Sequence, residues 1–138
     1  MTAINNTSQT TTFASLGLPP AQQNNLAALG FDALPPIQAA TLPLSLAGDD
    51  VIAQAKTGSR KTAAFGLALL NTLDAKQLVV QAMVLCPTRE LADQVCAELR
   101  RLARAMDNVK VLTLCGGVAL RGQTTSLAHG AHIVVGTP

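Results

Sequence analysis

The sequence predicts an α/β fold, a parallel sheet flanked by helices. Three observations predict it. Short apolar runs rich in β-branched residues alternate along the chain with helical stretches. The runs are nearly continuous in hydrophobicity, as in strands covered on both faces. Each run also ends in small or polar turn residues (AKTGS, CPTRE, CGG and VGTP). Strand followed by helix followed by strand is the pattern of right-handed crossovers within one parallel sheet.

The elements follow in order. Residues 1–12 are polar and Thr-rich and read as a flexible N-terminal arm. Helices are predicted over 20–29 and 36–46, with Pro43 bending the second. A first strand, 51–54, follows the turn Gly48-Asp49-Asp50. Helix 61–73 comes next, then strand 81–86. Helix 89–106 has Thr88 as its N-cap and Glu90 in its first turn. Its Leu91, Val95, Leu99 and Leu102 form one apolar stripe. Strand 109–115, a weak helix 120–128 interrupted by Gly122, and a fourth strand starting at 132–135 complete the series.

Composition narrows the function classes. Of 138 residues, 49% are apolar and only 13% charged. A disordered chain has the opposite balance. No run reaches the roughly 18 uninterrupted apolar residues that a membrane span needs. The net charge of +2 is too small to signal nucleic-acid binding alone, and with aromatics at 2% a broad base-stacking surface is not expected. The odd count of three cysteines, Cys86, Cys96 and Cys115, reads as small buried residues in a reducing compartment. The N-terminus lacks a basic start and an apolar core, so it is not read as a secretory signal, and a cytoplasmic, non-membrane protein is expected.

In parallel sheets, ligands bind beyond the carboxyl ends of the strands. The turn Ala55-Lys56-Thr57-Gly58-Ser59-Arg60-Lys61-Thr62 stands there, between the first strand and a helix. Backbone amides and the helix N-terminus of such a turn face an anion. Lys61 would reach the outer phosphates of a nucleotide, and the Thr62 hydroxyl would hold Mg2+. Both glycine positions of the general GxxxxGK[ST] pattern are changed, to Ala55 and Arg60. A plain strand-to-helix turn with a surface lysine therefore stands as the other reading. A side chain at position 60 invites strain of about 1–3 kcal/mol, so weakened ATP binding is expected.

Phe13, GFDALPPIQ (30–38), AKTGSRKT (55–62), PTRELA (87–92), Gly116-Gly117 and Thr137-Pro138 occur in the order of the motifs of a DEAD-box RNA helicase. The sequence resembles that family over residues 13–138. The resemblance implies an incomplete RecA-like P-loop parallel sheet, part of the first of two helicase lobes. It implies that Phe13, Phe31 and Gln38 serve the adenine of ATP. Ala55, Lys56, Thr57, Gly58, Ser59, Lys61 and Thr62 would serve its phosphates and Mg2+. Thr88, Arg89, Gly117 and Thr137 would contact RNA phosphates, positioning RNA without reading its sequence. The stretches LCPTRELADQV, LRRLAR and LTLCGG point within the family to ribosome assembly, with ribosomal RNA as partner.

These 138 residues contain no Asp-Glu-Ala-Asp segment, no Ser-Ala-Thr segment and no second lobe. The expectation for the chain alone is therefore no ATP hydrolysis, since the transition-state charge lacks its clamp. Unpaired ladder groups and poor solubility are expected as well. A degenerate, non-catalytic nucleotide- or RNA-binding module, or another P-loop ATPase, remains an open alternative. Plain readings also stand for single residues. Gln38 reads as an exposed helix polar, Phe31 as a core residue, and Arg89 as a partner of Asp93. Arg100, Arg101 and Arg104 read as a solvated face. His129 and His132 read as structural or solvent-facing, with no third metal ligand near them.

Overall fold

The computed structural model describes residues 11–56 and 60–138. The expected arm thus falls outside the described residues up to position 10. Thr12 accepts the Ser15 amide on its side chain and caps the 3-10 helix Phe13–Leu16. Helices α1 (Pro20–Ala28) and α2 (Pro36–Leu46) each begin with proline at the first helical position, where no amide partner is lost. α2 runs on through Pro43.

α3 (Lys61–Thr72) and α4 (Arg89–Leu102) form the middle of the core. α4 starts as predicted, with Thr88 Oγ1 accepting the Leu91 amide at 3.2 Å. Its buried face is Ala92, Val95, Cys96, Leu99 and Leu102. Leu91, expected on that stripe, is 38% exposed. The helix predicted to 106 stops at Leu102 and tightens into the 3-10 turn Ala103–Ala105. The last carbonyls of α4 are satisfied from α1. Gln22 Nε2 donates to Leu102 O at 3.1 Å, and Asn25 Nδ2 donates to Arg101 O and Leu102 O. This explains a buried glutamine in an otherwise polar helix.

The sheet among the described residues has three strands, β1 (Ala82–Leu85), β2 (Val111–Leu114) and β3 (Ile133–Gly136). All pair in parallel, in the order β1-β3-β2. β3 lies in the middle and is buried throughout. The register sets Leu85 and Leu114 both opposite Gly136. The three carboxyl ends are therefore level, and the segments after them share one rim.

The expected strand 51–54 is not a strand. A parallel strand exists through its ladder partners, and among the described residues none pairs with this segment. Ile52 is fully exposed. β1 also departs from the expected two-sided cover. Ala82 and Val84 are half-buried, but Met83 and Leu85 are 67% and 63% exposed. Helix α5 (Leu120–Ala128) buries no residue, in keeping with its broken pattern. No described helix is long and apolar enough to cross a membrane.

Candidate functional site

Two groups of predicted residues meet the rim of the sheet. The first follows the strand ends. Thr88 and Arg89 begin α4 just beyond β1, and both are exposed. The Arg89 guanidinium donates from Nη1 to Gly116 O at 3.1 Å, which ties the segment after β1 to the one after β2. Gly117 has φ 78°, and a Cβ there would run into the Arg89 guanidinium. Glycine at 117 is thus favoured by its left-handed backbone, while the guanidinium, at the end of a flexible side chain, can move aside. Gln123 Nε2 braces the same loop through Cys115 O at 2.9 Å. Thr137, half-buried, follows β3 on the same rim. Arg89 does not pair with Asp93; among the described residues the ion pair is Arg101 with Glu98 at 3.0 Å.

The second group surrounds the start of α3. Arg60 is its N-cap, with φ 55° and ψ 40° in the left-handed region. Gln38, on α2, is fully buried rather than exposed. Its Nε2 donates to the Arg60 carbonyl at 3.1 Å, whereas Oε1 has no partner among the described residues. Phe31 packs edge-to-face on Phe13, ring centres 6.0 Å apart at 81°. The Arg60 guanidinium lies over the Phe31 ring, 4.7 Å from its centre. Phe31 is therefore a core residue and a wall of this site together. The Lys61 ammonium donates to the Ala55 carbonyl across the turn. Ala55 is half-buried and Lys56 exposed. Thr57, Gly58 and Ser59 lie outside the described residues.

Between α3, α4 and β1 lies a cavity of about 550 Å³. Lys61 and Thr62 line it together with Cys86 and Pro87 from the end of β1. Lys61 and Thr62 of the phosphate-loop pattern thus face the carboxyl end of the sheet. Asp49 and Asp50 line the same cavity. Sequence reasoning reads them only as a turn, and their place before the loop is the available signal. Burial pushes the Cys86 thiol above the ordinary thiol range, with Cys115 adding to the effect. All three cysteines are free and buried, as expected.

Arg100, Arg101 and Arg104 are all exposed, as the solvated-face reading expects, though one is also tethered. Arg100 is no freely solvated residue: its Nε and Nη2 both donate to Val111 O, at 3.2 and 2.7 Å. His132 is structural; its Nδ1 accepts the Lys110 amide at 3.0 Å, and its Nε2 lies 3.1 Å from Ala75 O. Among the described residues, no group of three His, Cys, Asp or Glu is placed to hold a metal ion.

Comparison with known proteins agrees with this geometry. The profile of the family described as "DEAD/DEAH box helicase" matches residues 35–138. The ATP-dependent RNA helicase DbpA of Escherichia coli strain K12 is 60% identical over 129 residues, spanning 93% of this chain and 28% of that protein. The DEAD-box ATP-dependent RNA helicase CshA of Geobacillus kaustophilus is 45% identical over 128 residues, spanning 93% of this chain and 27% of that protein. Among solved structures, a DEAD box protein from the hyperthermophile Methanococcus jannaschii superposes with a TM-score of 0.86 at 38% identity. That superposition covers 92% of this chain and 34% of the other. S. cerevisiae Dbp5 bound to RNA and ADP BeF3 superposes with a TM-score of 0.79 at 29% identity, covering 92% and 32%. The chain spans about a quarter to a third of the length of these relatives. The profile match over most of the chain joins the parallel sheet, the phosphate-loop turn and the shared rim in one conclusion: the chain belongs to the DEAD/DEAH box helicase family.

Proposed function

We propose that this chain is the ATP- and RNA-binding part of an ATP-dependent RNA helicase that opens short RNA duplexes. In this reading residues 13–138 are part of a first RecA-like lobe. The observation that carries the nucleotide half is Gln38. A fully buried amide with an orphaned Oε1 beside the first turn of α3 is costly to folding and fits a donor-bearing base. Phe13 and Phe31 form the aromatic wall of that pocket. The first-turn amides of α3 face the phosphates, because helix N-termini carry unfilled donors and positive partial charge. Ala55, Lys56 and Lys61 complete the cradle with Thr57, Gly58 and Ser59. Lys61 must exchange the Ala55 carbonyl for a phosphate oxygen. Thr62 supplies the hydroxyl for Mg2+, whose charge on the phosphates offsets their repulsion.

The RNA half rests on the level strand ends. Thr88, Arg89, Gly117 and Thr137 lie along one rim, and phosphate contacts from such a row are blind to sequence. Arg89 spends one N–H on Gly116 and keeps the rest of its fork for phosphate. In this reading the RNA is ribosomal and the setting cytoplasmic, as the resemblance of the stretches LCPTRELADQV, LRRLAR and LTLCGG implies. Turnover of ATP requires carboxylates that these 138 residues do not carry in an Asp-Glu-Ala-Asp segment. A second reading, a nucleotide- and RNA-binding module without turnover, is favoured by Arg60 at the loop and by Lys61 bonded to Ala55.

The test is a binding titration on the full chain with ATP and a single-stranded RNA. RNA affinity is expected to fall as salt rises, and Arg89→Ala to flatten the log–log slope by about 0.7. An unchanged slope with Arg89→Ala, or no ATP binding at millimolar concentration, contradicts the proposal. Phosphate release is expected neither with RNA nor without it, since these 138 residues carry no Asp-Glu-Ala-Asp segment.

A further inference from the structure

Arg60 closes the base half of the pocket by itself. Its carbonyl occupies Gln38 Nε2 at 3.1 Å. Its guanidinium covers the Phe31 ring at 4.7 Å. Phe31 is 6% exposed and Gln38 0%, while Arg60 lies exposed above them. The side chain is therefore turned onto an aromatic face, where a planar cation stacks well. While it stays there, no base can stack on that face of Phe31.

From this we infer that Arg60 is a displaceable gate over the base subsite, its guanidinium holding the position on Phe31 that a nucleobase would take. The inference rests on the nucleotide reading above and deepens it by separating the two halves of the site. Phosphate groups meet the first turn of α3 without moving the gate. A base must displace the guanidinium and then reaches the unpartnered Gln38 Oε1, an acceptor fitted to an amino-bearing base. The resting site therefore takes a bare polyphosphate about as well as a nucleoside triphosphate.

The test is calorimetric titration of the full chain with ATP and with inorganic tripolyphosphate. Three forms are compared: the native chain, Arg60→Gly and Arg60→Asn. Glycine relaxes the left-handed backbone; asparagine tolerates it, yet is too short and uncharged to cover Phe31. Circular dichroism checks that each form keeps its helices. The measured quantity is the preference for ATP over tripolyphosphate, in which changes common to both phosphate chains cancel. The native chain is expected to show little preference, and both variants a preference raised about tenfold. Adding Phe31→Leu to Arg60→Asn should abolish that gain. An unchanged or lowered preference in both variants, with tripolyphosphate still bound, overturns the gate and leaves the phosphate site standing. A gain in Arg60→Gly alone assigns the effect to backbone strain and also overturns it. Failure of every form to bind tripolyphosphate overturns the nucleotide reading itself, and the gate with it.

Discussion

Gln38 shows how a single residue can be poor for stability and good for binding. An orphaned buried acceptor costs about 1–3 kcal/mol, and its one bond to Arg60 O returns about 0.5–1.5 kcal/mol. Gln38→Met keeps the volume and removes both terms. Urea unfolding should therefore place this variant within about 1 kcal/mol of the native chain, while its ATP affinity falls at least tenfold. A large loss of stability with unchanged ATP affinity would make Gln38 a structural residue. Motif spacing alone makes Gln38, Lys61 and Thr62 legible in the sequence. It cannot make legible the Arg60 stack on Phe31 or the Arg89 bond to Gly116. Those depend on side-chain rotamers and on approach between residues 29 and 27 positions apart.

At the level of elements, the helices are readable because they carry their own signals. Thr88 caps α4, prolines open α1 and α2, and apolar spacing marks the buried faces. The segment 51–54 misleads for a physical reason: a parallel strand is defined by its neighbours, and apolar composition does not reveal them. Gly66 shows what close helix packing asks of sequence. A Cβ there would lie 2.9 Å from Leu99 Cδ2 and 3.2 Å from Leu102 Cδ1, where α3 meets α4. Alanine gains helix propensity that offsets much of this crowding. Gly66→Val adds branching and bulk without that compensation, so it should lower unfolding free energy by about 1–3 kcal/mol. Thermal denaturation followed by circular dichroism measures it, and a Tm equal to that of the native chain would contradict the packing described.

Among the described residues the molecule is built on a short parallel sheet whose two outer strands, β1 and β2, each pair on one edge only. β3 is buried, but β1 shows Met83 and Leu85 and, among the described residues, pairs on one edge only. Exposed apolar edge strands are templates for association. Concentration-dependent association of the 138-residue chain is therefore expected in sedimentation velocity. Met83→Lys with Leu85→Lys should shift it toward monomer without loss of helix signal. Association unaffected by these charges would place it on another surface. Three of the four runs that end in turn residues finish level in the sheet, because connection chemistry is local; the first run, 51–54, is not a strand and has no end there.

Amide hydrogen exchange of the full chain, with and without millimolar ATP and Mg2+, tests the central claim most directly. Protection is predicted in the peptides that hold Phe31, Gln38 and Lys61, and none around the far-side turn Ala103–Ala105. Protection at that turn, with the Gln38 and Lys61 peptides unchanged at saturating ATP, would contradict the account.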